Sequence, residues 1–256
     1  MKILWFSCGV TSAVACKLAL EKYGKDDCIV VYINIGTAHP DNVRFISECE
    51  KWYGCKVYQF ESEDFKDQFD VIRRTKYVNG ASGARCTLEL KKKVRWAIEA
   101  MCVGEISGQV FGFEYTKKEV NRAIRFKEQY PDSKPLFPLI DAKMTKPNCL
   151  SLLIREGVEI PKIYQLGYPN NNCIGCVKGG MGYWNKIRED FPDVFKEMSE
   201  METLVGRSCI KGTFLKDLEP GRGHEQLPIM PDCGTFCEVE FADIIDPEVE
   251  KLFPNE

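Results

Sequence analysis

The run CIVVYINIG, residues 28–36, constrains the fold more than any other stretch. It is almost continuously apolar, where a strand with one wet face would alternate. Continuous runs of this kind belong to parallel sheets, whose crossover helices cover both faces. KILWF (2–6) has the same texture, and CKVYQFES (55–62) reads as a third strand. The intervening stretches are helical. TSAVACKLALEKYG is stopped by Gly24. PDNVRFISECEKWYG, with Val43, Ile46, Trp52 and Tyr53 near one face, ends at Gly54. This β-α-β-α-β order with right-handed crossovers predicts a doubly wound parallel α/β sheet.

Further along, residues 89–101 read as a helix and GQVFGFE (108–114) as a short strand. PLFPLID (135–141) reads as an extended segment punctuated by proline, and NCLSLLIREGV (148–158) as a helix. From Leu166 the texture changes. GYPNNNCIGCVKGGMGYW is rich in turn formers and glycine, and REDFPDVFKEMSEMETLVG is one more helix. The expected organisation is a nucleotide-binding α/β domain over 1–165. An irregular, cysteine-rich, metal-binding C-terminal region over 166–256 packs on it.

The 256 residues carry a formal net charge of −3, so no global basic field advertises nucleic acid, and nucleic-acid binding stays open. No apolar run spans a bilayer and no leader-like stretch precedes the first strand, which excludes a membrane partner and points to the cytoplasm. Cysteine is the outlier, at 13 residues. An odd number scattered through helices and strands is not a disulfide framework, and in a reducing compartment it suggests metal or redox chemistry.

In a doubly wound sheet, ligands bind beyond the carboxyl ends of the strands. There the loop in WFSCGVTSAVA offers Ser7, Gly9, Thr11 and Ser12 at a helix N-terminus, a natural phosphate site. It has neither the Walker spacing nor G-x-G-x-x-G. The competing account is an ordinary helix cap by Thr11 or Ser12. Cations for a phosphate are at hand: Arg85, Lys91, Lys92 and Lys93 in one stretch, and Lys117, Lys118, Arg122 and Arg125 after Gly112. Residues 118, 122 and 125 share a helix face. A solvated basic face is the plainer account. His39, in TAHPDN, sits at the mouth of the second strand, whose backbone near Ile33 to Gly36 could contact a bound ligand.

Cys173-x-x-Cys176 is the sharpest metal signal, since two thiolates in a tight turn grip one ion or two irons of a cubane. Two further ligands are needed, from among Cys86, Cys209, Cys233 and Cys237. Zinc on Cys173, Cys176, Cys233 and Cys237 is one solution; spacing alone does not separate it from iron–sulfur. Cys16, Cys28, Cys49, Cys55, Cys102 and Cys149 read as small buried hydrophobes.

Several motifs carry a resemblance. FSCGVTSAVA resembles the S-G-G-x-D-S pyrophosphate loop of the ATP pyrophosphatases and phosphoadenylyl-sulfate (PAPS) reductases. In order, INIGTAHPDN resembles D-T-G-x-x-x-P-E-T, GARCTLELKKKV resembles C-C-x-x-x-K, and FGFEYTKKEVNRAIRF resembles G-x-R-x-x-E-s-x-x-R. FPLID resembles the P-L-x-x-W stretch, GYPNNNCIGC resembles Y-x-S-I-G-C-x-x-C, and DCGTFC resembles E-C-G-L-H. The chain thus resembles the PAPS-reductase-like, adenine nucleotide alpha-hydrolase (PP-loop) proteins, including the group found in bacteriophage genomes. The resemblance implies an adenine nucleotide (PAPS, APS or ATP) held by Ser7, Cys8, Gly9, Thr11, Ser12, Asn34, Gly36, His39, Arg85, Lys91, Gly112 and Arg122. It implies a [4Fe–4S] cluster with Cys86 joining Cys173 and Cys176, and Cys209 is the expected fourth ligand. Cys233 is the implied nucleophile, with a structural ligand role as its alternative.

Departures from the pattern matter. Cys8 replaces a loop glycine, Thr11 replaces the loop Asp, and Asn34 replaces the Asp of the second strand. These lean toward an adenylyl sulfate without excluding ATP. The implied activity is sulfonucleotide reduction with a thiol reductant or sulfur donor. ATP-dependent adenylating sulfur transfer to a nucleic acid is an alternative, and a non-catalytic nucleotide-binding module is another. Self-association is left open.

Overall fold

The structure, a computed structural model, describes residues 1–80, 83–223 and 247–253. Its centre is a five-stranded sheet in the order β3-β2-β1-β4-β5, all parallel. The strands are β1 (Lys2–Trp5), β2 (Cys28–Asn34), β3 (Val57–Glu61), β4 (Gly108–Val110) and β5 (Pro135–Leu136). The first crossover is α1 (Val10–Tyr23) and the second α2 (Asn42–Tyr53). After β3 come α3 (Gln68–Thr75), the short α4 (Arg85–Thr87), a π-helical turn (Leu88–Lys92) and α5 (Lys93–Met101). The helices α6 (Lys117–Gln129), α7 (Pro138–Asp141), α8 (Lys146–Arg155) and α9 (Lys162–Gln165) follow β4 and β5. The chain closes with α10 (Met181–Asp190), α11 (Pro192–Val205) and α12 (Pro247–Leu252).

The period of two along each strand divides the core. Leu4 and Phe6 face one way with Val30 and Tyr32, into a cluster with Val14, Phe45 and Leu153 from α1, α2 and α8. Ile3 and Trp5 face the other way with Val31 and Ile33, onto Ile98 and Phe126 from α5 and α6. Both faces are therefore dry, as the unbroken apolar runs require. Each fully buried side chain of this size contributes about 1.5–3 kcal/mol. One sequence expectation is corrected on α2, where Val43 is 76% exposed. The buried face is Asn42, Phe45, Ile46, Cys49 and Tyr53, the true helical stripe.

A third cluster lies beside the sheet. It joins Phe69 and Ile72 of α3 and Val78 to Cys176, Trp184, Ile187, Met198 and Leu215. Strand order reverses between β1 and β4, because the chain leaves β3 and returns to β1's other side. Such a switch point opens a crevice at the carboxyl ends of the strands. No described helix is long and apolar enough to cross a membrane.

Candidate functional site

The loop after β1 enters that crevice. Cys8 has φ 59°, the left-handed region that favours glycine. This explains why a glycine suits the corresponding position of the resembling loop. Ser12 Oγ donates to Gly9 O at 2.9 Å and accepts from Ser7 N at 3.1 Å; the Ser7 and Ser12 hydroxyls lie 3.0 Å apart. The helix α1 begins at Gly9 with no side-chain cap and no acid in its first turn. The ordinary-cap account therefore does not describe Ser12, whose hydroxyl ties the loop to itself. Among the first amides, Val10 N–H donates to the Tyr164 hydroxyl at 3.3 Å.

Gly112, just beyond β4, backs the loop. A Cβ there would meet Ser12 Cα at 2.7 Å and Ser12 N at 2.8 Å. The close approach is backbone against backbone and admits only glycine. The cleft above is open to solvent and has a cavity volume of about 80 Å³. Its walls are apolar, from Trp5, Val31, Ile33, Phe111 and Phe113, with Ser7, Ser12, Lys91, Glu119 and Asn171 as polar groups. An apolar slot with a few convergent polar groups is the usual form of a small-molecule site.

Lys91 and Cys173 line this cleft and also a second, smaller cavity that holds Cys86 and Cys176. The two spaces thus share walls. The Cys173–Cys176 turn is braced from several sides. Tyr183 Oη accepts from Cys176 N at 2.9 Å and donates to Cys173 O at 3.0 Å. Gln68 Nε2 donates to Ile174 O and Gly175 O, each at 3.0 Å. Gly175 has φ 74°, and a Cβ there would meet Val194 Cγ1 at 2.5 Å. Cys209 packs on the same cluster. Its N–H donates to Glu202 Oε1 at 2.5 Å, and Leu215 N–H donates to Glu202 Oε2 at 2.6 Å. Burial first, then the Glu202 carboxylate, pushes the Cys209 thiol up; the fields of Cys176 and Cys86 also reach it. Cys86, Cys173 and Cys176 line one cavity, and Cys209 packs on the same apolar cluster. Among the described residues no three or more His, Cys, Asp or Glu side chains are gathered closely enough to hold a metal ion.

The remaining predicted residues are more dispersed. Arg85 lies outside the cleft walls, 2.8 Å from buried Glu89. Arg122 is buried against the Phe113 ring and pairs with Glu119 at 3.2 Å, so it turns inward from the basic face. Asn34 accepts from Gly36 N at 3.2 Å and donates to Glu61 at 3.3 Å, closing the turn after β2. His39 Nδ1 accepts from Asp41 N at 3.1 Å, and burial lowers its pKa. Cys16, Cys28, Cys49 and Cys149 are buried, while Cys55 and Cys102 are partly exposed. Burial pushes Cys49 up to about 12 and also raises Cys8 and Cys16. Cys233 and Cys237 lie outside the described residues.

Sequence reasoning missed Asn42, Gln68, Asn171, Tyr183 and Glu202. Only Asn171 carried a signal, standing in an Asn triplet next to the cysteine pair.

The phosphoadenosine phosphosulfate reductase domain matches residues 2–179. The chain belongs to this family. The match runs from β1 through the cysteine turn, so it takes in the loop after β1 and both cavities. An uncharacterised protein of Methanocaldococcus jannaschii is 27% identical over 219 residues, 80% of this chain and 43% of that protein. The chain thus spans less than half the length of that relative. Among solved structures, the PAPS reductase of Candida auris in its phosphate complex is similar at a TM-score of 0.49 and 10% identity. That match covers 67% of this chain and 80% of that one. The U34-tRNA thiolase of Methanococcus maripaludis, with its [4Fe–4S] cluster, is similar at 0.45 and 15% identity, covering 93% and 80%.

Proposed function

We propose that this chain binds an adenine nucleotide in the cleft and acts on a sulfur-bearing one, a PAPS-reductase-like reaction on an adenylyl sulfate. The carrying observation is the wall shared through Lys91 and Cys173 between the apolar cleft and the cysteine cavity. The phosphate groups lie on the loop Ser7–Ser12, against backbone amides, the α1 N-terminus and the Lys91 ammonium. The base lies in the apolar slot, read by backbone near Ile33 to Gly36.

Cys86, Cys173, Cys176 and Cys209 hold a [4Fe–4S] cluster in this reading. The support for this reading is the Cys173-x-x-Cys176 turn and the cavity it shares with Cys86. A bound cluster would add a polarising iron–sulfur centre beside the cleft. The nucleophile is Cys233. Its thiolate attacks the sulfonyl sulfur, an S–S bond forms, and the S–O bond to the nucleotide breaks, releasing an adenosine phosphate. A thiol reductant then attacks the Cys233 sulfur. Sulfite leaves, and a mixed disulfide remains for a second thiol to reduce.

The test is anaerobic purification with iron and zinc analysis, then assays with adenylyl sulfate plus thiol and with ATP. Bound iron, sulfite release, and loss of turnover but not metal in Cys233→Ser are expected. A colourless preparation with one tightly held zinc overturns the cluster. Pyrophosphate release from ATP that survives Cys233→Ser puts adenylating sulfur transfer first.

A further inference from the structure

Asn171 is 8% exposed and belongs to the wall of the cleft. Its Nδ2 donates to Cys8 O and to Asn42 Oδ1, each at 2.8 Å. Both amide hydrogens are thereby used, and the two acceptors fix which way the amide points. Turned over, Oδ1 would face two oxygens. Asn42 is oriented in its own right, because its Nδ2 donates to the Tyr32 hydroxyl at 3.3 Å. A buried chain Tyr32–Asn42–Asn171–Cys8 results. It runs from β2 to the left-handed residue of the phosphate loop, whose conformation supplies the Cys8 carbonyl. One atom is left over: Asn171 Oδ1 is buried and has no hydrogen-bond partner.

A buried, unpaired amide oxygen pays its desolvation without return until a donor reaches it. Here the amide cannot rotate away, and the residue is one of those that line the ligand cleft. An acceptor in this position disfavours phosphate oxygens, which bring no hydrogen, and favours a neutral N–H or O–H. We propose that Asn171 determines specificity by accepting a hydrogen bond from the nucleoside part of the ligand. The donor is either the exocyclic amine of adenine or a ribose hydroxyl. The inference rests on the adenine-nucleotide reading of the cleft. A site with a prepositioned acceptor rejects analogues that lack the donor, because its buried group is then left unpaired.

The experiment is calorimetry on the full chain with adenosine 5′-monophosphate, the inosine analogue lacking the amine, and the 2′-deoxy and 3′-deoxy analogues. The wild-type protein should bind one of these analogues about tenfold more weakly than the parent, the size of one lost hydrogen bond. The weakened analogue distinguishes amine from hydroxyl. In Asn171→Leu that discrimination should disappear, with parent and analogue bound alike. Asn42→Leu, which keeps Asn171 but frees its amide to turn over, should lose part of it and serves if Asn171→Leu does not fold. Discrimination that persists in both folded variants overturns the role of Asn171 and leaves the cleft assignment intact. A wild-type protein that binds all analogues equally overturns it too. Failure of wild-type protein to bind any adenosine phosphate overturns the cleft reading and this inference together.

Discussion

Around the cleft the main chain hangs from the ends of paired strands, with Asn171 and Tyr164 pinning the loop between them, whereas around the cysteines, which lie outside the strands, buried side chains do most of the holding. Ser7 and Gly112 follow directly on parallel neighbours β1 and β4, and the Ser12 hydroxyl completes the loop locally. Cys173, Cys176 and Cys209 sit in irregular segments. Their geometry depends on Gln68, Tyr183 and Glu202, which reach in from other parts of the chain. The lesson is about tolerance. A backbone-built site survives most side-chain changes and fails when backbone spacing is violated. A side-chain-built site fails when one polar anchor is lost.

The largest expected effect tests the second half of that contrast. Glu202 is 0% exposed and accepts from two backbone N–H groups. Glu202→Leu strands both donors and should cost about 4 kcal/mol, from roughly 1–3 per unsatisfied buried group. Urea titration would show it as a lowered midpoint. An unchanged midpoint would mean that the cysteine segments are held by something other than this carboxylate.

Next in size is a break in backbone spacing at the cleft. Gly112→Val drives a side chain into Ser12 and should destabilise by about 2 kcal/mol, as overpacking does. It should also abolish the calorimetric signal for adenosine phosphate while, on the proposed cluster reading, bound iron stays at wild-type level. Nucleotide binding that survives in the folded variant would separate Gly112 from the loop's geometry and weaken the comparison.

The smallest effect sharpens the claim that backbone, not side chain, makes the loop. Cys8→Gly removes a left-handed non-glycine, a relief of about 1–2 kcal/mol. It also adds unfolded-chain freedom worth about 0.5–1 kcal/mol and loses some packing. Stability should move by less than about 1 kcal/mol and nucleotide affinity by less than about threefold, because the relieved strain and the added chain freedom nearly cancel. A tenfold fall in affinity would show instead that the Cys8 sulfur itself matters to the ligand.

Much of this was legible in the sequence because it is written in local periodicity. The unbroken runs at 2–6 and 28–36 require two covered faces, and the sheet has them. The carboxyl ends of parallel strands are where loops meet ligands, so Ser7 to Ser12 could be singled out from position alone. C-x-x-C is local chemistry and needs no fold to be noticed. On α2 the same method failed at Val43 alone of the four residues chosen for one face: Ile46, Trp52 and Tyr53 pack on the core with Phe45 and Cys49, while Val43 falls outside that stripe.

What the tertiary structure decided is which polar groups are buried and against what. Arg122 reads from its helix as one of several basic residues, yet it lies on Phe113 beside Glu119. Glu202 looks like its many acidic neighbours on α11, and its partners are two backbone amides in a later loop. Asn42 and Asn171 lie 129 positions apart and share one hydrogen bond. A hydrophobic period repeats every few residues and can be read along the chain. A buried hydrogen bond is a bargain between two distant segments, struck only once the core has brought them together, and no local pattern records it.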